Sequence, residues 1–494
     1  MIVNLAKTAL ALGLVLVQVS PCAAGESSQV LSLPDAVQLA LARDALVRDA
    51  QQSLESARAR LVQASTHTPT LTTSANSSVA SSAGLDPEST ISGTDYSSQS
   101  YYSSVNVPMR GGTDLSLSTS ASTTTTNSEL RTGQGMQFTY AGASVGADVS
   151  RPISLFRDDR VLTEGPRWSA DMSVRSAELA LEEARRRVVG DTLTAFFGAL
   201  RAQRQAEIAA ASQREAEELL RIAKSKLDRG KLAEIEVMEA RVSADSAGVA
   251  LRRAESSAAT ALDALKNFLE MGLEQAVQLN HDETGTANAL SPDEAALVER
   301  AVAQRADLQQ LRWGIRSAEL SVRQVEAQSK PGASLGAGYT RTGQAETIGE
   351  SFHELVNPSW YVGLVFTTSL TQREDRAAIE QARGSLRLAR MNEELRRDEV
   401  RLEIRRLLRE AQDAAANAAQ LAETVKIAEE NLRIRQVQFE HGLIRPIDVT
   451  QTERQLTEAR AQLLDAVIDK ELSAAQLSLA AGEMPSVVSH EAVQ

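Results

Sequence analysis

Residues 404–432 read IRRLLREAQDAAANAAQLAETVKIAEENL, and the spacing inside this stretch decides the fold. Ile404, Leu407, Ala411, Ala414, Ala418, Leu421, Val425, Ala428 and Leu432 recur at alternating steps of three and four, with charged and amide residues between them. An α-helix places residues so spaced on one stripe, and a stripe sustained this long marks a helix packed along its length against other helices. Four of the nine members are alanine, which lets neighbouring helices approach closely. The stretch lies in a window, 359–445, that holds none of the 12 prolines, and a second such window covers 167–291. There Val174, Ala177, Leu181, Ala184 and Val188 open another seam. A helix of about 60 residues spans about 90 Å, far more than a globular core needs.

Outside the helical windows the pattern changes. Residues 70–170 and 331–370 hold 12 of the 17 aromatics, 15 of the 27 glycines and no lysine. Apolar residues there alternate with Ser, Thr or Gly: Leu71, Thr73, Ala75, Ser77 and Val79 share one side, as do Leu335, Ala337 and Tyr339, and Trp360, Val362, Leu364 and Phe366. Period two is the mark of a strand, and one apolar face opposite one wet face is the pattern of strands that cross a membrane in a barrel; an ordinary soluble sheet is the alternative. Residues 81–100 and 119–135 are rich in Ser, Thr and Gly and read as exposed loops.

The 494 residues carry 52 Lys and Arg against 65 Asp and Glu, a net charge of −13, which argues against nucleic acid as a partner. The single cysteine excludes a disulfide scaffold and a structural cysteine-zinc site. Residues 1–24 read as a secretory signal: Lys7 supplies the basic region, Thr8 to Ser20 the apolar run, and Cys22-Ala23-Ala24 the small-residue cleavage site. Lipidation at Cys22 and a retained anchor are the competing readings of this leader. No later stretch approaches the roughly 18 apolar residues a membrane helix needs, so membrane entry would be through β-structure.

The chain also repeats. Arg221 to Gly272 and Arg433 to Gly482 correspond at an offset of 212 residues. Leu227-Asp228-Arg229-Gly230 matches Phe439-Glu440-His441-Gly442, and Ile235-Glu236-Val237 matches Ile447-Asp448-Val449. Pro34-Asp35-Ala36 and Pro292-Asp293-Glu294 open the two halves, while Pro69 and Pro331 end helical patterns and begin strand patterns. The reading is a leader (1–24), a first repeat (25–285; strands about 70–155), a second repeat (286–484; strands about 332–370) and a C-terminal tail (485–494). Each half is helix, strands, long helix, turn, helix. Gly230 and Gly442 stand where helices end in a left-handed cap, and Arg445-Pro446 begins the next helix.

A half that leaves and re-enters its sheet on one side needs an even number of strands, most simply two. Tyr101 to Met109 and Leu115 to Thr123 also alternate, so the first window could hold four; an extracellular hairpin extension is the other possibility. So few strands cannot close a pore, and an open edge in lipid leaves backbone groups unpaired, so several chains are expected to share one barrel.

This order of elements resembles the TolC-type outer-membrane factor family over about residues 30–483. The resemblance rests on the double repeat, on Leu31-Ser32-Leu33-Pro34-Asp35-Ala36 followed by Ala40-Leu41-Ala42, and on Phe439-Glu440-His441-Gly442 with Ile447-Asp448-Val449. It implies a mainly α fold with β: internally duplicated long-helix hairpins forming a trimeric periplasmic α-helical tunnel, and strands shared in a 12-stranded outer-membrane barrel. It implies a homotrimer in outer-membrane lipid that meets a periplasmic adaptor and an inner-membrane transporter of RND, ABC or MFS type, and conducts solutes or polypeptides outward. It places Asp448 in an acidic ring at the tunnel entrance, with Gln451 where a second family acid stands. Asp448 reads equally as a helix-capping acid. Leu227, Asp228, Arg229, Gly230, Phe439, Glu440, His441 and Gly442 become candidate adaptor contacts, or simple turn residues. The segment Arg151-Pro152-Ile153-Ser154-Leu155-Phe156 keeps a family strand-to-helix motif that Ser369-Leu370-Thr371 lacks.

Nothing in the sequence points to catalysis, a cofactor or a metal. His67, His281, His353, His441 and His490 form no ligand pair at helical spacing, and there is no GxSxG, P-loop or dinucleotide motif. Energy for transport must therefore come from a partner. The rival reading is a periplasmic coiled-coil scaffold with its Ser/Thr windows as stalk.

Overall fold

The structure is a computed structural model that describes residues 29–81, 95–129, 135–280, 293–368 and 372–483. The leader with Cys22, the segment 369–371 and the tail 485–494 lie outside the described residues.

The first half runs β1 (Gln29–Ser32), α1 (Leu33–Arg43), α2 (Ala45–Ser65), β2 (Thr70–Ser81), β3 (Asp95–Pro108), β4 (Asp114–Glu129), β5 (Gly135–Ile153), α3 (Asp159–Asp228) and α4 (Glu234–Phe268). The second runs β6 (Val277–Asn280), α5 (Glu294–Gln304), α6 (Ala306–Gln328), β7 (Gly332–Ala345), α7 (Ile348–His353), β8 (Asn357–Thr367), α8 (Gln372–Glu440) and α9 (Pro446–Ala480). The two long helices have 70 and 69 residues, each therefore about 100 Å in length. α3 begins before the proline-free window and carries Pro166 at its eighth position, in the third turn, where the missing amide removes one helical hydrogen bond.

The heptad positions explain the packing. Ile404, Leu407, Ala418, Val425 and Leu432 are buried, and Ala411, Ala414, Leu421 and Ala428 half-buried, so the seam of α8 faces inward throughout. A central core forms around Phe196 and Phe197 of α3, with Leu33 and Val37 of α1, Leu265 of α4 and Ile468 of α9 packed on them. β1 and β6 pair in parallel beside it, Leu31 opposite Leu279. A second cluster joins α5 and α6 to α8 and α9 through Leu297, Leu308, Ile404 and Leu477. A third, at the far end, joins Leu219 of α3 to Leu432, Phe439, Val449 and Leu456.

Each half opens with two helices broken at one residue. At Asp44 the carboxylate accepts the Leu46 amide at 2.7 Å and caps α2. At the corresponding break Arg305, 7% exposed, turns inward instead. Its guanidinium donates to both carboxylate oxygens of Asp307 (2.9 and 3.1 Å), to Glu403 (3.0 Å) and to the Ala480 carbonyl (3.3 Å).

The strands form one antiparallel sheet in the order β2-β3-β4-β5-β7-β8. The first half supplies four strands and the second two, which corrects the simplest expectation of two per half and the reading of 95–100 and 119–129 as loops: their Ser and Thr residues lie in β3 and β4. The turn between β3 and β4 lies at the helical end of the sheet, where Gly112 fits so closely that a Cβ would meet Thr163 of α3 at 2.6 Å. The extra strands are therefore not a projection beyond the outer end. Short α7, unforeseen from sequence, packs on the sheet; a Cβ at Gly343 would meet the Ser351 carbonyl at 2.0 Å.

Candidate functional site

The two ends of the molecule carry the chemistry. At one end the helices turn. α3 stops at Gly230 (φ +68°) and α8 at Gly442 (φ +74°). The Gly230 amide donates to Leu227 and the Lys231 amide to Lys226; the Gly442 amide donates to Phe439 and the Leu443 amide to Gln438. These paired bonds satisfy the last carbonyls of each helix and require a left-handed residue. No heavy atom lies within 4 Å of a Cβ built at either glycine, so conformation alone selects the residue.

The next helices restart alike. Glu236 reaches back to accept the Ala233 amide at 2.9 Å, and Asp448 accepts the Arg445 amide at 3.1 Å. The capping role of Asp448 is thus present in the single chain, and its repeat mate performs the same one. Asp448 is half-buried, and Gln451, one turn on, is exposed. Asp228, Arg229, Gly230, Glu440, His441 and Gly442 are exposed at the tips, with Leu227 half-buried. Phe439 stands apart from these seven: it is 2% exposed and belongs to the tip core.

Three groups at this end were not singled out from sequence. Lys226 of α3 donates to the carbonyls of Phe439 and Glu440, and its ammonium lies 3.9 Å from the Phe439 ring centre, so it ties the first tip to the second. Burial lowers its pKa, Glu440 opposes that, and Lys231 adds to it. Arg460 of α9 spans Glu215 of α3 (3.4 Å) and Glu429 of α8 (3.1 Å). Glu453 of α9 is 6% exposed; burial, reinforced by the Glu215 charge, pushes its pKa up to about 7. Its sequence signal is a carboxylate on the seam between Val449 and Leu456, where an apolar residue belongs.

At the other end the sheet has two unlike faces. One cross-strand row reads Leu71, Val105, Leu117, Ala147, Tyr339 and Trp360; the next row, on the opposite face, reads Thr72, Ser104, Ser118, Gly146, Thr340 and Ser359. In these two rows every strand presents an apolar residue to one side and a hydroxyl or glycine to the other; in other rows Thr119 and Thr123 stand on the first side and Tyr102, Phe138 and Tyr140 on the second, and α7 covers the first side at Gly343. The polar face also holds a bond from the Tyr361 hydroxyl to Asp148 at 2.9 Å, passing over Gly338, where a Cβ would meet the Asp148 carboxylate at 2.2 Å. β2 and β8 are the edges, and in the single chain both are open. Among the described residues no helix is long and apolar enough to cross a membrane, and no group of His, Cys, Asp and Glu is arranged to hold a metal ion.

This two-ended construction has counterparts. A family model described as outer membrane efflux protein matches residues 112–269 and 297–483. The chain belongs to the outer membrane efflux protein family. Among solved structures it is similar to the outer membrane protein VceC of Vibrio cholerae, with 16% identity, 92% of this chain and 96% of that chain covered, and a TM-score of 0.65. It is similar to the CmeC outer membrane channel of Campylobacter jejuni at 18% identity, with 91% and 85% covered and a TM-score of 0.61. A membrane protein from Pseudomonas aeruginosa gives 15% identity, 95% and 94% covered, and a TM-score of 0.68. These likenesses are of fold. No curated protein matches the chain. The family is one of outer membrane efflux proteins, and the CmeC neighbour is an outer membrane channel.

Proposed function

We propose that the chain is the outer-membrane exit duct of a tripartite efflux pump or a type I secretion system, and that it works as a homotrimer. The observation that carries this reading is the sheet: a row of apolar side chains on one face, a row of hydroxyls and glycine on the other and two open edges, mounted on helices about 100 Å long. Such a sheet is stable in lipid only when copies close it, apolar side outward. The helices then continue the conduit into the periplasm. Cargo, whether solute or polypeptide, passes without chemistry, and an inner-membrane transporter of RND, ABC or MFS type supplies the energy.

The tips face the periplasm. Leu227, Asp228, Arg229 and Gly230, with Glu440, His441 and Gly442, form the surface that meets a periplasmic adaptor, and buried Phe439 shapes it from beneath. Three copies of Asp448 crowd carboxylates around the axis, which favours cations and repels anions, while Gln451 leaves the second ring neutral. A scaffold without a channel would have no use for the apolar face.

The test is purification in detergent, mass measurement and recording in planar bilayers. A three-chain particle that conducts is expected. Asp448→Ala is expected to reduce cation selectivity and cation block of the channel; unchanged single-channel behaviour would remove Asp448 from the entrance. A water-soluble particle that never conducts would sink the duct.

A further inference from the structure

We infer that the barrel built by this chain has eighteen strands, six from each of three copies, rather than the twelve that the resemblance implies. The inference rests on the trimeric duct proposed above and adds the composition and width of its wall.

The first observation is span. β3 has 14 residues and β4 has 16, against 12 in β2 and 11 in β8 at the edges. Crossing the hydrocarbon takes about 9–11 tilted residues, so both inserted strands reach across. The second is their placement. They stand between β2 and β5 in continuous register, from Thr70 opposite Asn106 to Asp114 opposite Ser150. Their turn is fitted against α3 through Gly112, at the same level as the other strand-to-helix joints. The third is chemistry. Although the faces mix toward the outer end, where Thr119 and Thr123 share the side of Leu117, Val105 and Leu117 continue the apolar row of their neighbours, and Ser104 and Ser118 continue the hydroxyl row. A soluble hairpin laid over the outer mouth would have no reason to keep that order across six strands.

The edges specify the closing partner as a second copy of this chain. β2 leaves the helical end and β8 returns to it, so β8 of one copy and β2 of the next run antiparallel, like every other pair in the sheet. Three copies of the six-stranded sheet give eighteen strands. At ordinary strand spacing and tilt, twelve strands make a backbone radius of about 12 Å and eighteen about 18 Å. The lumen is then wide and lined by hydroxyls such as Thr72, Ser104, Ser118 and Thr340. Selection among cargoes falls to the helical tips, because the wall of the barrel stands too far from the axis to touch a small solute.

The experiment uses single-cysteine variants in the purified, lipid-reconstituted protein, with the parent chain, whose only cysteine is Cys22, as the blank. A charged, water-soluble maleimide is expected to label Ser104→Cys and Ser118→Cys about tenfold or more faster than Val105→Cys and Leu117→Cys. Bimane attached at the latter two should be quenched by nitroxide-bearing lipid. Cysteine pairs scanned along β2 and β8 should cross-link between copies and stop at a three-chain band. A conducting trimer in which Val105→Cys labels as fast as Ser104→Cys takes β3 and β4 out of the wall, and ends the eighteen-stranded barrel while leaving the duct intact. A two-chain conducting particle, which closes at twelve strands, also ends it. A monomer that conducts nothing ends the duct reading itself.

Discussion

The halves of the chain are the same parts made twice, and comparing them separates what the architecture demands from what it tolerates. The tips at Gly230 and Gly442 are closed by matching amide-to-carbonyl bonds and restarted by matching acids, Glu236 and Asp448. The helix breaks at Asp44 and Arg305 are not alike: one carries a capping carboxylate, the other a buried guanidinium that binds two acids and a carbonyl from three segments. The sheets differ most, with four strands against two. A backbone turn has few solutions and keeps its residues. A helix break can be satisfied locally or by distant partners. A hairpin can be inserted into a sheet without altering its neighbours, because each strand makes its own pairings.

The sharpest test of this contrast lies at the breaks. Arg305→Met takes the close guanidinium from Glu403 and leaves Asp307 with Arg396 alone, and is expected to cost about 3 kcal/mol, the low end for a buried pair because Glu403 is a third exposed and Arg396 remains. Asp44→Ala removes only a cap, about 1 kcal/mol. Equal losses in denaturant unfolding would erase the distinction. The pH dependence adds a second readout. Burial raises the Asp307 pKa, but the hydrogen bonds and charges of Arg305 and Arg396 outweigh it, and the net shift is downward. A lowered acid stabilises the fold above its unfolded pKa of about 3.9, and that stability is lost as pH falls through the folded value. The variant should flatten this acid limb.

Next is Glu453, whose repeat counterpart is the exposed Arg241. Its pKa, raised from 4.5 to about 7, means that the folded chain holds the proton more tightly. Stability therefore falls as pH rises between those values. Glu453→Gln is expected to add on the order of 1–3 kcal/mol at pH 8 and nothing at pH 4, read from unfolding curves. The same gain at both pH values would show that its charge is not the cause.

The glycine pair predicts equality instead. Gly230→Ala and Gly442→Ala should each cost about 1–2 kcal/mol, since both residues are left-handed and neither is crowded. A large difference in melting between them would break the equivalence of the tips. Smallest is Lys226→Met, about 1 kcal/mol because the ammonium is partly exposed. Amide exchange should quicken at Phe439 to Leu443 and stay unchanged at Gly230 and Lys231, because only the second tip loses an external donor.

Much of this was legible in the linear order. The seam from Ile404 to Leu432, the proline-free windows and the two Gly turns state the helices, since helical spacing, proline exclusion and left-handed caps are local properties. The sides of Leu71, Leu335 and Trp360 followed from alternation alone. The tip chemistry was only half visible. Asp448 carries its role in its spacing, whereas Lys226 reaches Phe439 across 213 residues of chain, and no local pattern records such a distance. Phe439 had the signature of a turn flank, but its ring is drawn under α3.

The sequence by itself determined the duplication, the long helices, the turns and the alternation of the strands, because each depends on residues within a few positions of one another. Tertiary structure alone decided that the first half has four strands, that Arg305 is buried among acids from distant helices, and that Glu453 lies beside Glu215. Those outcomes depend on which segments become neighbours, and the free energy of a buried charge or a strand pair exists only once both partners are in place.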